Sequence, residues 1–288
     1  MSQDKTINIL IVSDIHLSFS NIKKLGEKIN NKKIDLIICG GDICNFDPVN
    51  SDDLVKVKEC EKEMIDIFKV LHEIVPTVDI LYVPGNHDAK TTLLFEGCEN
   101  QDEEKKSIDY SKPPKLTDRS YNIHKSNFRL DDDLVLVGLG GSLPSYCDNK
   151  PHWAGYPYDC INEDGEKQVL SDLNQSLKHK DTINSKDKII LLTHMGPYNC
   201  YTTIDQIDLS ISPIYSGSKS IENIIKENQQ QIFLNIHGHT HHSTGLAKVG
   251  KTYVCNPGSL RSGHYVILKV EKFCNQLWRL KSTKFYKL

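Results

Sequence analysis

The sequence predicts an α/β protein, a sheet with crossover helices, on two observations. Short apolar runs rich in Ile, Leu and Val alternate with stretches whose apolar residues recur every three or four positions. Each early run also ends in a cluster of polar residues, as strands do when they feed loops at one sheet edge. The run INILIVSD (7–14) is the first strand, and Ile22, Leu25 and Ile29 mark a helix over 21–31. DLIICGGD (35–42) is the second strand. Residues 52–74 set Leu54, Val57, Met64, Ile65, Phe68 and Leu71 along one side of a long helix, and DILYVPGNHD (79–88) is the third strand. Residues 89–120 are polar and charged and carry Pro113-Pro114, which predicts an inserted surface loop. A strand over 133–141 precedes an aromatic, turn-rich stretch at 142–160. A helix at 163–179, a strand at 188–194, a helix around 219–229 and a strand at 231–239 follow, and four short alternating runs close the chain. With no internal repeat and no linker, 1–288 is expected to form one domain.

Composition narrows the function. With 38% hydrophobic and 25% charged residues the chain has the makeup of a globular protein with a core. A net charge of −3, from 35 basic and 38 acidic side chains, supplies no general attraction to nucleic acid or to an anionic membrane. The opening apolar run is too short and polar for a signal peptide, and no run is long enough to span a bilayer, so a cytoplasmic protein is expected. Nine cysteines, an odd number without a C-x-x-C pair, predict reduced thiols rather than a disulfide framework.

The chemistry gathers at the strand ends. The first three strands end in Asp14-Ile15-His16, Gly40-Gly41-Asp42 and Gly85-Asn86-His87-Asp88, and later ones in Thr193-His194 and His237-Gly238-His239. Side chains two apart on an extended segment share a side, so Asp14 pairs with His16 and His237 with His239. Gly238 between the latter lets the backbone come close. Oxygen and nitrogen donors without thiolate suit Mn, Fe, Zn or Co. Asp14, His16, Asp42, Asn86, His194, His237 and His239 are too many donors for one tetrahedral ion. Two divalent ions bridged by Asp42, roughly 3.5–4 Å apart, would use all seven.

Together, SDIHL (13–17), GGD (40–42), GNHD (85–88), TH (193–194), HGHTH (237–241) and the closing NPGS (256–259) resemble the calcineurin-like metallophosphoesterases. The resemblance implies a four-layer αββα sandwich, two mixed β-sheets packed together with helices outside, and a dinuclear metal centre. It implies that one ion takes Asp14, His16, Asp42 and His239, and the other Asp42, Asn86, His194 and His237. His87 would lie beside the scissile phosphorus, stabilising the transition state or protonating the leaving oxygen. The expected reaction is in-line attack on a phosphomonoester or phosphodiester by a metal-bridging hydroxide. Asn86, Arg261 and His241 are candidate substrate contacts, while His241 and His242 are read as turn residues rather than ligands.

The chain departs from the serine/threonine protein phosphatases, which resemble it in this loop but carry G-D-x-x-D-R-G. Here GDICNFDP (41–48) places Asn45 at the second aspartate and lacks the arginine. A small phosphate ester, a nucleotide among the options, is therefore the expected substrate. The alternatives are a phosphoprotein phosphatase and a non-catalytic binding scaffold of the same fold; a scaffold would have lost ligands that this chain keeps. The segments 89–120 and 142–160 are where substrate choice would reside, with Tyr146, His152, Trp153, Tyr156 and Tyr158 either capping a pocket or filling core.

Overall fold

The computed structural model describes residues 4–48, 53–93, 114–147, 150–158, 163–178, 183–205, 212–273 and 277–288. Two six-stranded mixed sheets pack face to face with helices on both outer sides, the four-layer sandwich expected. The first sheet holds β1 (Lys5–Val12), β2 (Leu36–Cys39), β3 (Ile80–Tyr82) and β4 (Ser120–Asn122) in parallel, with β15 (His264–Lys272) antiparallel to β1 and β16 (Arg279–Lys287) antiparallel to β15 beyond it. The second holds β6 (Leu134–Leu139), β9 (Lys188–Thr193), β12 (Ile232–Ile236) and β14 (Thr252–Asn256) in parallel. Its edges are antiparallel, β5 (Ser126–Asp131) beside β6 and β13 (Gly245–Val249) beside β14. Two hairpins stand apart from both sheets, β7 (Ser145–Cys147) with β8 (Lys150–Trp153) and β10 (Ile204–Asp205) with β11 (Ile214–Tyr215).

The period-two alternation of strands sorts the side chains into layers. On β1, Ile9 and Ile11 point into the core between the sheets, where they meet Leu36, Ile38, Ile190, Leu192, Leu234 and Ile236. Leu10 and Val12 point outward, under α1 (Phe19–Ile29) and α2 (Leu54–Ile74). Val135 and Val137 of β6 likewise turn out, towards α3 (Glu163–Lys178) and α4 (Lys219–Glu227). Both sheet faces are thus covered, and the parallel strands read as nearly continuous apolar runs for that reason. Asp53 caps α2 by accepting from the Val55 and Lys56 amides, and Ser218 caps α4 by accepting from Ile221 N.

Three differences from the sequence reading bear on function. The strands stop short of their polar tails: β2 ends at Cys39 and β12 at Ile236, so Gly40–Asp42 and 237–241 are loop. Most of the 89–120 insertion lies outside the described residues, but its ends are not surface loop. Lys90–Leu93 forms a 3₁₀ turn with Leu93 buried, and Leu116 is buried as well. The reduced thiols expected throughout are corrected at one pair, since Cys44 and Cys60 are joined as a disulfide with Cα atoms 6.5 Å apart. Packing of α2 against the loop after β2 brings the two cysteines together, a proximity that spacing along the chain does not encode. Cys39, Cys200 and Cys255 are free and buried.

Leu234→Ala, in the core between the sheets, is expected to cost about 2–5 kcal/mol of unfolding free energy in urea titration. Leu246→Ala, on the exposed edge strand β13, is expected to stay within about 0.5 kcal/mol.

Candidate metal centre

The loops after β1, β2, β3, β9 and β12 meet at the carboxyl ends of the parallel strands, the edge where open α/β sheets place ligands. Asp14, His16, Asp42 and His241 form one cluster whose ligating atoms lie within 4.8 Å of one another, and Asp42, His194 and His239 form a second. Asp42 belongs to both. Asn86 joins the second, its Oδ1 3.2 Å from His194 Nε2, while its Nδ2 is turned away towards Ala154 O.

The backbone is bent to make this possible. Asp14, His16, Asp42 and His239 all have positive φ, from 48° to 67°. Non-glycine residues seldom adopt this region, and they cluster in it at sites that need a side chain aimed inward. The loops also interlock: His16 N donates to Asp42 O (3.0 Å), and His239 N to both carboxylate oxygens of Asp14 (3.0 and 3.1 Å). Gly85 and Gly238 are required by space. A Cβ at Gly85 would sit 2.0 Å from Asp42 Oδ1, and one at Gly238 would sit 1.9 Å from Ser13 Oγ. Asp88 bonds backbone, accepting from the amides of Gly85, Ile43 and Cys44, and so ties the loops after β2 and β3 together.

The imidazoles are oriented for a cation. His194 Nδ1 lies 2.7 Å from Gly40 O, and His16 Nδ1 lies 2.8 Å from Asn45 Oδ1 and 3.2 Å from Cys44 O. Oxygens of this kind only accept, so each Nδ1 carries the hydrogen and each neutral ring presents Nε2 as a lone pair. The His194 lone pair faces Asn86 Oδ1 and, at 3.5 Å, Asp42 Oδ1, neither of which has a proton to give. His16 Nε2 and His241 Nε2 face each other at 3.3 Å beside Asp14 Oδ1. His239 Nε2 is buried with no hydrogen-bond partner. Lone pairs and carboxylates converging on the same space repel unless a positive charge stands among them. The donor set therefore fits divalent ions with oxygen and nitrogen preference.

Without an ion, protons fill that role. Burial opposes charge on His194, yet Asp42, Asp14 and Gly40 O outweigh it and raise its pKa to about 9. Burial likewise opposes ionisation of Asp42, but His194, His87 and His16 hold it well below the usual carboxylate range. Burial lowers His239 to about 3 and His237 to about 4.

The structure differs from the sequence reading at one pair of histidines. His237 is not brought to either cluster: its Nε2 bonds Thr202 Oγ1 at 2.8 Å and its Nδ1 lies 2.9 Å from Gly238 O. His241 takes the place beside Asp14 and His16 instead. The same-side rule fails at 237 and 239 because the strand ends at Ile236 and the chain turns at His239. His242 does lie outside, paired with Asp205 at 3.1 Å. His87 is half-buried beside His16 (ring centroids 5.7 Å), with Nδ1 2.9 Å from Phe46 O and its backbone N–H on Asp42 Oδ1. Arg261 is exposed, in the turn Leu260–Ser262, its amide donating to Asp14 O at 3.2 Å. Asn45, which from sequence is only a departure from a related motif, bonds the ring of His16.

The family pattern of calcineurin-like phosphoesterases matches residues 7–243, and the chain belongs to that family. It is accordingly a hydrolase acting on ester bonds. An uncharacterised protein of Methanocaldococcus jannaschii, MJ1162, is 28% identical over 255 residues, covering 88% of each chain. A dimetal phosphatase from Danio rerio matches in structure at a TM-score of 0.52 with 10% identity, covering 98% of each chain. TT1561 of Thermus thermophilus matches at 0.51 with 16% identity over 92% of this chain and 94% of that one. These two structures share the fold. No helix among the described residues is long and apolar enough to cross a membrane.

Ion binding at His194 needs its Nε2 lone pair and so must expel the proton held there below pH about 9. Calorimetric titration of the ion-free protein with Mn²⁺ at pH 7.5, in buffers of different ionisation enthalpy, is expected to show proton release that fades as pH rises through about 9. A folded pKa above the ordinary 6.5 also means that this group's stabilisation of the ion-free fold is complete below 6.5 and lost towards 9.

Proposed function

We propose that the chain hydrolyses a small phosphate monoester or diester with the help of two divalent ions. One ion would be held by Asp14, His16, Asp42 and His241, the other by Asp42, Asn86, His194 and His239. The observation that carries this reading is the inward convergence of imidazole lone pairs, a carboxamide oxygen and two carboxylates that have no proton to share. When bound, the ions supply Lewis-acid charge that activates water and neutralises phosphoryl oxygens.

The chain's own residues divide the remaining work. Asp42 keeps its negative charge in a buried setting, because three histidines surround it and the His87 amide donates to it. Gly40 O, Asn45 Oδ1 and Cys44 O hold the His194 and His16 rings in one tautomer, each with Nε2 inward. His87 donates Nδ1–H to Phe46 O, which leaves Nε2 facing away from that anchor. Once protonated, Nε2 is the atom that would donate to the leaving oxygen or to a phosphoryl oxygen. Arg261, exposed and with its amide on Asp14 O, would pair with a substrate oxygen at the rim.

His87→Ala is expected to lower kcat on para-nitrophenyl phosphate by about 10²–10⁴-fold with both ions retained, as read by elemental analysis. Retention of full rate would remove His87 from the mechanism. A pair of variants tests the ligand assignment: His241→Ala should lose bound metal, whereas His237→Ala should keep two ions per chain. The reverse result would restore the ligand set expected from sequence. Comparing para-nitrophenyl phosphate with its bis ester, on chelated protein resupplied with Mn, Fe, Zn or Co, separates monoesterase from diesterase. No turnover with any metal and no bound ion would favour a binding scaffold.

A further inference from the structure

Beside the second ligand cluster lies a cavity of about 220 Å³, walled by Leu143, Pro144, Trp153, Tyr198, Tyr215 and Lys219. It is built from two hairpins outside the large sheets together with the start of a sandwich helix. The β7–β8 and β10–β11 hairpins supply Trp153 and Tyr215, the loop after β9 supplies Tyr198, and the start of α4 supplies Lys219. Trp153 is the partition between cavity and ligands: its ring meets that of His239 edge-on, centroids 4.8 Å apart at 88°. Its Nε1–H is spent on Leu143 O at 2.9 Å, which fixes the plane of the indole. Across the cavity Tyr198 and Tyr215 lie 6.2 Å apart, and Tyr215 is 51% exposed, a large aromatic ring held open to solvent at the cavity wall.

The charges in this cavity are informative. Glu166 lines it, but its carboxylate is fully engaged at the start of α4, accepting from Ser218 Oγ, Lys219 N and Ser220 N at 2.6, 2.8 and 3.0 Å. The ammonium of Lys219 lies over the Tyr198 ring, 5.5 Å from its centroid. An aromatic enclosure of this kind also suits a quaternary ammonium ligand. Here the Lys219 charge already occupies one face and would repel a second cation. The volume is below the roughly 300–1,000 Å³ of pockets that hold drug-sized ligands, so one ring system fits and a peptide segment does not.

We propose that this cavity receives the organic part of the ester, and that this part is a flat aromatic ring system, a nucleobase or an aryl group. The ring lies against Trp153 and Tyr215, Lys219 donates to a ring oxygen or nitrogen, and the phosphate reaches past Trp153 to the cluster of Asp42, Asn86, His194 and His239. The assignment of the phosphate end rests on the phosphoesterase reading above; the ring site stands on its own geometry.

The test uses tryptophan fluorescence and needs no turnover. The chain has two tryptophans, and Trp278 is only 2% exposed in the core between the sheets, so a ligand in the cavity is reported by Trp153. Adenosine, phenol, choline and glycerol are titrated into the full chain. A saturable change with adenosine or phenol is expected, the tighter of the two telling nucleobase from aryl, and none with choline or glycerol. Tyr215→Ala should weaken the binding about tenfold, and Tyr198→Ala provides a second reading should that variant unfold. Tyr201→Ala, an exposed tyrosine outside the cavity, should leave it unchanged. No saturable change with either aromatic probe, affinity unchanged from the parent chain in both cavity variants, or tighter binding of choline would overturn the proposal. Loss of the phosphoesterase reading would instead appear as binding of adenosine or phenol without metal-dependent hydrolysis of any ester.

Discussion

The site depends on keeping Asp42 charged while buried. A carboxylate out of water is costly unless it is paired and hydrogen-bonded, and every neighbouring loop contributes to meeting that cost. The loop after β3 delivers the His87 amide, the loop after β9 delivers His194, and the loop after β1 delivers His16. The approach is close enough that Gly85 has no room for a side chain. The positive φ angles at Asp14, His16, Asp42 and His239 belong to the same demand. They turn side chains into one small volume, and the interlocking amide bonds among the loops hold the backbone there.

Such strain persists only on a rigid base. Parallel strands from both sheets end at the same edge, and the core between the sheets is continuous from Ile9 and Ile38 across to Leu192 and Leu234. Helices close both outer faces over the strands that bear the site loops. The disulfide between Cys44 and Cys60 adds a tie between α2 and the loop that carries Asp42.

The aromatic cavity uses different material. The aromatic stretch after β6 is anchored by Tyr158, buried and bonded to Asp172, which Lys125 neutralises at 2.9 Å. Tyr158 is thus core, while Trp153, five residues earlier, stands between the ligand cluster and the aromatic cavity. Neighbouring residues of this stretch thus differ in setting, Tyr158 within the core and Trp153 at the cavity wall. The ligand clusters sit at sheet ends, whereas the aromatic cavity draws on two hairpins outside both large sheets.

The sequence by itself determined the fold class, the order of the main strands and helices, and the edge at which the chemistry would gather. Local periodicity carries the first two, and polar residues after apolar runs carry the third, because both are properties of consecutive residues. It also singled out Asp14, His16, Asp42, Asn86, His194 and His239, all of which the structure brings together. Tertiary structure set His241, and not His237, beside Asp14 and His16, since the direction of a side chain beyond the end of a strand depends on a backbone turn at His239 and on Thr202 from a distant loop. It decided the Cys44–Cys60 pairing and the role of Asn45 beside His16. It also assembled the cavity from hairpins and a helix end far apart in sequence. In each case the deciding contact joins residues whose separation along the chain carries no periodic signal.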